Sequence, residues 1–241
     1  RIINGNFDLD VVAYLTAPLY PYTLALFKVI SFQYWEWITV CFQFTLISIS
    51  ASYIYRISRL LFDSRQSAFL SALIYIFYPL TLWLNFTIVQ ESSFQAYFII
   101  FLFYFLQAQS NRKNSTVLKA ACFFSLALLT KSHIIILLPI IVSLLLYKKE
   151  IKRTLIFTTT LLLFSLPHGI VNKTKHDTFT ISSQGNASLF LLGHHEATYE
   201  SILYNKGPQS VISFVFDRNY NDPKFGLINQ LKPQQRNKIR F

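Results

Sequence analysis

LSALIYIFYPLTLWLNFTIVQESSFQAYFIIFLFYFL, residues 70–106, holds two apolar stretches, Leu70–Phe86 and Phe94–Leu106, with a single carboxylate, Glu91, between them. Stretches of this kind, free of charge along their length, belong in hydrocarbon. An ionisable group at such depth is costly to keep and is therefore a functional-site candidate. The segment Pro79–Glu91 reads as the end of one span, a tight turn and the start of the next. That reading predicts an all-α fold, a polytopic transmembrane helical bundle.

The rest of the chain agrees. Of 241 residues, 53% are hydrophobic and only 14% charged, and the mean hydropathy is +0.39; soluble domains carry about 25% charged residues. Starting at Arg1, lacking Met and stopping at Phe241 in a basic polar stretch, the chain reads as an internal piece of a longer protein. Cys41 and Cys122 both lie in apolar runs, where cysteine acts as a small hydrophobe, so neither a disulfide nor a thiolate metal site is expected. The net charge of +11 is spread over short loops between apolar runs, a membrane-loop pattern that excludes nucleic acid as a partner.

Six apolar spans follow a short interfacial helix, Leu19–Ile30: Trp37–Tyr55, Ser67–Trp83, Ser92–Leu106, Val117–Thr130, Ile134–Tyr147 and Leu155–Ile170. Several fall short of the roughly 20 residues an upright crossing needs, which calls for snorkelling lysines such as Lys119 and Lys148 or local thinning. Residues 1–36 are read as the end of an outer loop with the interfacial helix, 37–170 as the transmembrane module, and 171–241 as a truncated extracytoplasmic region.

Basic residues set the orientation. Arg56, Arg59 and Arg65 share one connection, Arg112, Lys113 and Lys119 another, and Lys148, Lys149, Lys152 and Arg153 a third. The alternate connections, Asn85–Glu91 and Lys131–His133, hold one basic residue between them. The positive-inside rule puts the three basic loops in the cytoplasm and makes Val117–Tyr147 a hairpin. Glu91, Lys131, His133, Ala17–Tyr22 and everything after Ile170 then share the extracytoplasmic face.

Four segments carry a family resemblance. Ala17-Pro18-Leu19-Tyr20-Pro21-Tyr22 with Thr23–Phe27 is similar to a P-L-Y-P-x-x-L-A-L-F element. Tyr53–Arg65, Tyr78-Pro79 and Gln90-Glu91 follow in the order of a basic loop, an S-P and a T-E position. Leu128–Pro139 (LLTKSHIIILLP) matches L-T-R/K-x-x-x-L-L-L-P, and Ile181–His195 resembles an Asn- and Gly-rich stretch beyond the last span. Over residues 16–195 the chain resembles the polytopic membrane glycosyltransferases of the C-type fold, near the family 39 dolichyl-phosphate-mannose protein mannosyltransferases and the lipid A aminoarabinose transferases.

The resemblance implies an integral, multi-pass enzyme that transfers sugar from a polyprenyl-phosphate-linked donor to a protein, lipid or glycan acceptor, with membrane lipids as its surroundings. Its principal catalytic Asp would precede Arg1; Asp8 and Asp10 do not sit in the family's acidic motif. Glu91 matches the second acidic position, as a catalytic group that orients the acceptor or helps hold a divalent metal, the one cofactor the resemblance leaves open. Lys131 matches a basic position suited to donor phosphate, and Tyr20 borders the donor site. Bland readings stand beside these: Glu91 as a carboxylate on a helix N-terminus, Lys131 as a headgroup anchor, and Tyr20 as an interfacial aromatic. His133 and His168 are placed near the outer surface, for proton transfer or as a polar rim. His194-His195-Glu196 lacks a third metal ligand nearby, and Asn85, Asn172 and Asn186 open glycosylation sequons. Two rivals remain, a transporter or flippase of lipid-linked intermediates and a non-catalytic membrane subunit. A transporter would bury polar groups mid-membrane on broken helices, whereas here the mid-span polar residues are mostly Ser, Thr and Gln43.

Overall fold

Pro18, with its fixed φ of -78°, opens the first helix, α1 (Leu19–Ile30), over the same residues the sequence marks as interfacial. The structure is a computed structural model, and it describes residues 17–176 and 179. The chain divides into two units, and all the described residues belong to the first. Every regular element among them is helical, as the apolar runs predict: α2 (Trp35–Phe62), α3 (Arg65–Phe77), α4 (Pro79–Phe86), α5 (Glu91–Asn111), α6 (Asn114–Thr130), a 3-10 turn (Ser132–Ile136), α7 (Leu137–Tyr147) and α8 (Ile151–His176).

Local chemistry fixes the boundaries. Asp63 ends α2 in the left-handed region at φ 48°, and the Ser64 side chain caps α3 by accepting from the Ser67 N–H at 3.2 Å. Arg112 and Lys149, at φ 52° and 56°, close the turns after α5 and α7. The expected single span Ser67–Trp83 is two helices. Tyr78, just before a proline, is pushed to extended backbone (ψ 120°), and Pro79 begins a new helix bent by 48° from the last. The last span also differs, since α8 runs through Pro167 to His176, beyond the expected end at Ile170.

Among the described residues two helices, α2 and α8, are long and apolar enough to cross a membrane, and the bent α3–α4 pair makes a third if it is one span; α1, α6 and the 3-10 turn with α7 are shorter apolar helices. Helix α6 sits at the centre between α5 and α8. Its Ala120, Ala121, Phe124, Ala127 and Leu128 are fully buried. The alanines allow close helix approach, the main source of association where lipid removes the hydrophobic drive. Phe124 meets Phe101 of α5 edge-on at 5.1 Å and Phe157 of α8 at 5.5 Å.

Hydroxyl groups within the apolar helices mostly satisfy themselves. In α2, Thr39, Thr45, Ser48, Ser50 and Ser52 each donate to the carbonyl four residues back, at 2.8 to 3.1 Å. In α8, Thr154, Thr158 and Thr160 do the same.

Cross-links sort the loops to two ends. At one, Lys148 donates to the Gln109 side chain, Arg153 donates to Ala108 O at 3.3 Å, and Arg153 pairs with Glu150 at 2.9 Å. Nearby, the Tyr53 and Tyr104 hydroxyls meet at 3.1 Å, with Arg56 over the Tyr53 ring and Lys119 over that of Tyr104. These contacts gather the basic ends of α2, α5, α6, α7 and α8. The start of α5 and the turn after α6 meet at the other end.

Candidate functional site

Glu91 is the first residue of α5, where unpaired backbone N–H groups and the helix dipole favour a carboxylate. Lys131 follows the last residue of α6. Its backbone turns extended (φ -145°, ψ 111°) while its N–H still bonds Ala127 O at 2.8 Å, which ends the helix and turns the side chain outward. The two side chains meet, Lys131 Nζ to Glu91 Oε1 at 2.9 Å, and both stay partly open, 26% and 33% exposed. An ammonium has three donors, so one can hold Glu91 while the others remain for a second anion.

Phe94, one turn along α5, underlies the pair. Lys131 Nζ lies 5.9 Å from its ring centroid and the His133 ring 5.3 Å. Partial burial, then the Lys131 ammonium, hold His133 below the ordinary histidine value, while Glu91 pulls the other way. The imidazole is therefore neutral at pH 7 and offers one donor and one acceptor. Tyr20 enters from α1, which packs on α2 and α6. It is buried, and its hydroxyl has no hydrogen-bond partner among the described residues. Burial first, then the Glu91 charge, push it up to about 12, so it stays a neutral donor. Glu91, Lys131, His133 and Tyr20, drawn from three separate segments, thus gather around Glu91, which pairs with Lys131 and whose charge reaches His133 and Tyr20.

Other expected positions fall elsewhere. His168 sits on α8, buried, with Asn172 Nδ2 3.1 Å from its Nε2. Asn85 and Asn172 are each 2% exposed, so those two sequons are closed to modification in the folded chain. Among the described residues no three His, Cys, Asp or Glu side chains gather. Asp8, Asp10, His194, His195, Glu196, the Asn186 sequon and the Ile181–His195 element lie outside the described residues.

The sequence marks Gln43 only as a mid-span polar residue and assigns it no role. It is fully buried in α2, and its Nε2 faces Thr87 O at 2.9 Å, Ser92 Oγ at 3.1 Å, Val89 O at 3.3 Å and Leu84 O at 3.4 Å. The available signal was an amide alone in an apolar span, a polar group that must find a partner.

A family model described as dolichyl-phosphate-mannose-protein mannosyltransferase matches residues 16–170, more than half of the chain and all four residues of the cluster. Neither a curated protein nor a solved structure matches the chain significantly.

Proposed function

The chain belongs to the dolichyl-phosphate-mannose-protein mannosyltransferase family, and we propose that it moves a sugar from a polyprenyl-phosphate donor to a protein, lipid or glycan hydroxyl at the extracytoplasmic face, with inversion. That it is a membrane glycosyltransferase follows from the family and the apolar helices together. The donor class, the stereochemistry, the residue roles and the sidedness belong to the proposal. The transporter reading loses ground to a family of transferases.

The Glu91–Lys131 pair carries the reading. In an inverting transfer the acceptor oxygen attacks the anomeric carbon on the face opposite the phosphate, and negative charge grows on the departing phosphate. Lys131 supplies fixed positive charge for it, within a lipid-flanked site where such charge is worth more than in water. Glu91, through its second oxygen, accepts a hydrogen bond from the attacking hydroxyl and orients it, while the hydroxyl proton passes to a carboxylate base outside the described residues. Tyr20 offers a neutral donor within reach of the Glu91 charge, and His133 forms the polar margin toward water.

The sharing of one end by Glu91 and Lys131, opposite the gathered basic loops, supports an outer-face site under the positive-inside rule. Multi-pass topology, with residues 171–241 on the outer side, extends the same reading. The test is a transfer assay in native membranes, using a radiolabelled polyprenyl-phosphate sugar. Glu91→Gln should lower turnover by about a hundredfold, the cost of a reacting hydroxyl misplaced by about 1 Å. Undiminished turnover would remove Glu91 from the mechanism.

A further inference from the structure

The loop that delivers Glu91 is held from behind by a residue far from it in sequence. Between the end of α4 at Phe86 and the start of α5 at Glu91 the chain runs irregularly; Leu84 O in the last turn of α4 takes the Thr87 and Ser92 hydroxyls, Thr87 O in the loop takes the Val89 N–H at 3.0 Å, and Val89 O follows just before α5. Backbone of this kind at membrane depth is tolerated only where protein groups satisfy it. Gln43 meets that need: its one amide nitrogen, with two hydrogens, faces all three carbonyls and Ser92 Oγ within 3.5 Å. Ser92 in turn donates to Leu84 O at 3.2 Å, closing the loop on itself.

The contacts bracket Glu91. Val89 lies two residues before it and Ser92 one after, so the amide holds backbone on one side of the carboxylate and the Ser92 hydroxyl on the other. The remaining freedom of Glu91 is its own side chain, which Lys131 takes up. The direction of the amide is set by its surroundings, since the nitrogen faces only oxygens and a flipped group would put an oxygen against three carbonyls.

We propose that Gln43 is a positioning residue for the transfer reaction: its amide clamps the α4–α5 loop to α2 and so sets where Glu91 stands relative to Lys131 and the bound substrates. The inference rests on the role given to Glu91 under Proposed function. It places in α2 a determinant of catalysis that touches no substrate. Misplacing a reacting or orienting group by about 1 Å costs up to a hundredfold in rate, so loss of the amide acts on turnover more than on donor binding, where Lys131 and Tyr20 dominate.

The experiment compares wild type, Gln43→Leu, Glu91→Gln and the double variant in the same membranes, with a polyprenyl-phosphate sugar as the probe donor. Hydrogen exchange by mass spectrometry is measured on the same purified samples. In Gln43→Leu, peptides covering residues 84–94 should exchange at least about tenfold faster while those of α6 and α8 keep their protection. Its kcat should fall by roughly tenfold or more with donor KM within about twofold, and Gln43→Leu should cost little further in the Glu91→Gln background. Unchanged exchange over residues 84–94, or losses that multiply in the double variant, would overturn the positioning role while leaving Glu91 in the mechanism. Wild-type turnover in Glu91→Gln alone would instead overturn the reading of the site, and the positioning role with it. If Gln43→Leu fails to accumulate, Gln43→Met, unbranched and of similar length but without donors, takes its place under the same criteria.

Discussion

Exchanging the two charges of the Glu91–Lys131 pair separates a staple from a working site. At 2.9 Å the gross attraction is about 6 kcal/mol for an effective dielectric of about 20. Desolvation and side-chain ordering cancel most of it, and a pair left a quarter to a third open nets about 1 kcal/mol. Lys131→Met should therefore lower the midpoint of thermal unfolding in detergent by only about 2–4 °C. The cost in turnover is of another order, because the same ammonium faces charge that grows only in the transition state. Losing such a donor costs about 10²–10³ in kcat. The swapped double variant Glu91→Lys with Lys131→Glu restores the pair and with it most of the thermal midpoint. It also puts a carboxylate where phosphate must sit, so transfer should stay at the level of Lys131→Met or below. Thermal unfolding followed by tryptophan fluorescence and the membrane transfer assay read the two quantities separately. Recovery of turnover by the swapped protein to within a few-fold of wild type would refute the reasoning, since the pair would then be a staple between α5 and the turn after α6.

Further predictions follow from neighbouring groups. Tyr20→Phe removes a buried hydroxyl without a partner among the described residues, so stability should hold or rise slightly while donor KM increases; an unchanged KM would take Tyr20 out of the donor site. His133 is held below its unfolded value, so its contribution to stability is complete above about pH 6.5 and is lost as the pH falls through the folded value. Imidazole NMR titration should show that value rising in Lys131→Met and falling further in Glu91→Gln. At the opposite end, Arg153→Met strands the Glu150 carboxylate, which is only 16% exposed, and should cost about 3 kcal/mol by chemical denaturation. Arg153→Met combined with Glu150→Gln should regain most of it. With Cys41 and Cys122 replaced by serine, a cysteine at Ile136 should react with an impermeant thiol reagent from outside, and one at Lys149 only after permeabilisation.

The helices were legible in the sequence because each apolar run carries its own punctuation, as Pro18 does for α1 and Ser64 for α3. The break at Tyr78-Pro79 was equally local, but unbroken hydrophobicity across it masked the signal. The last span reads as ending at Ile170, whereas α8 continues through Pro167 to His176. Alternation of charged loops placed Glu91 and Lys131 on one face, and the structure brings them into contact. The Gln43 clamp was not legible, because its partners lie 41 to 49 residues away and no periodicity encodes them.

The back-bonded hydroxyls of α2 and α8 change how these helices should be judged as lipid-soluble objects. Hydropathy sums treat every serine and threonine as a bare alcohol dragged out of water, yet here the proton is already given to the preceding turn. The true transfer penalty is smaller than the arithmetic implies. Replacing such a residue by alanine or valine should therefore add little to insertion, and polar-looking segments elsewhere in membranes of this kind are better spans than their composition admits.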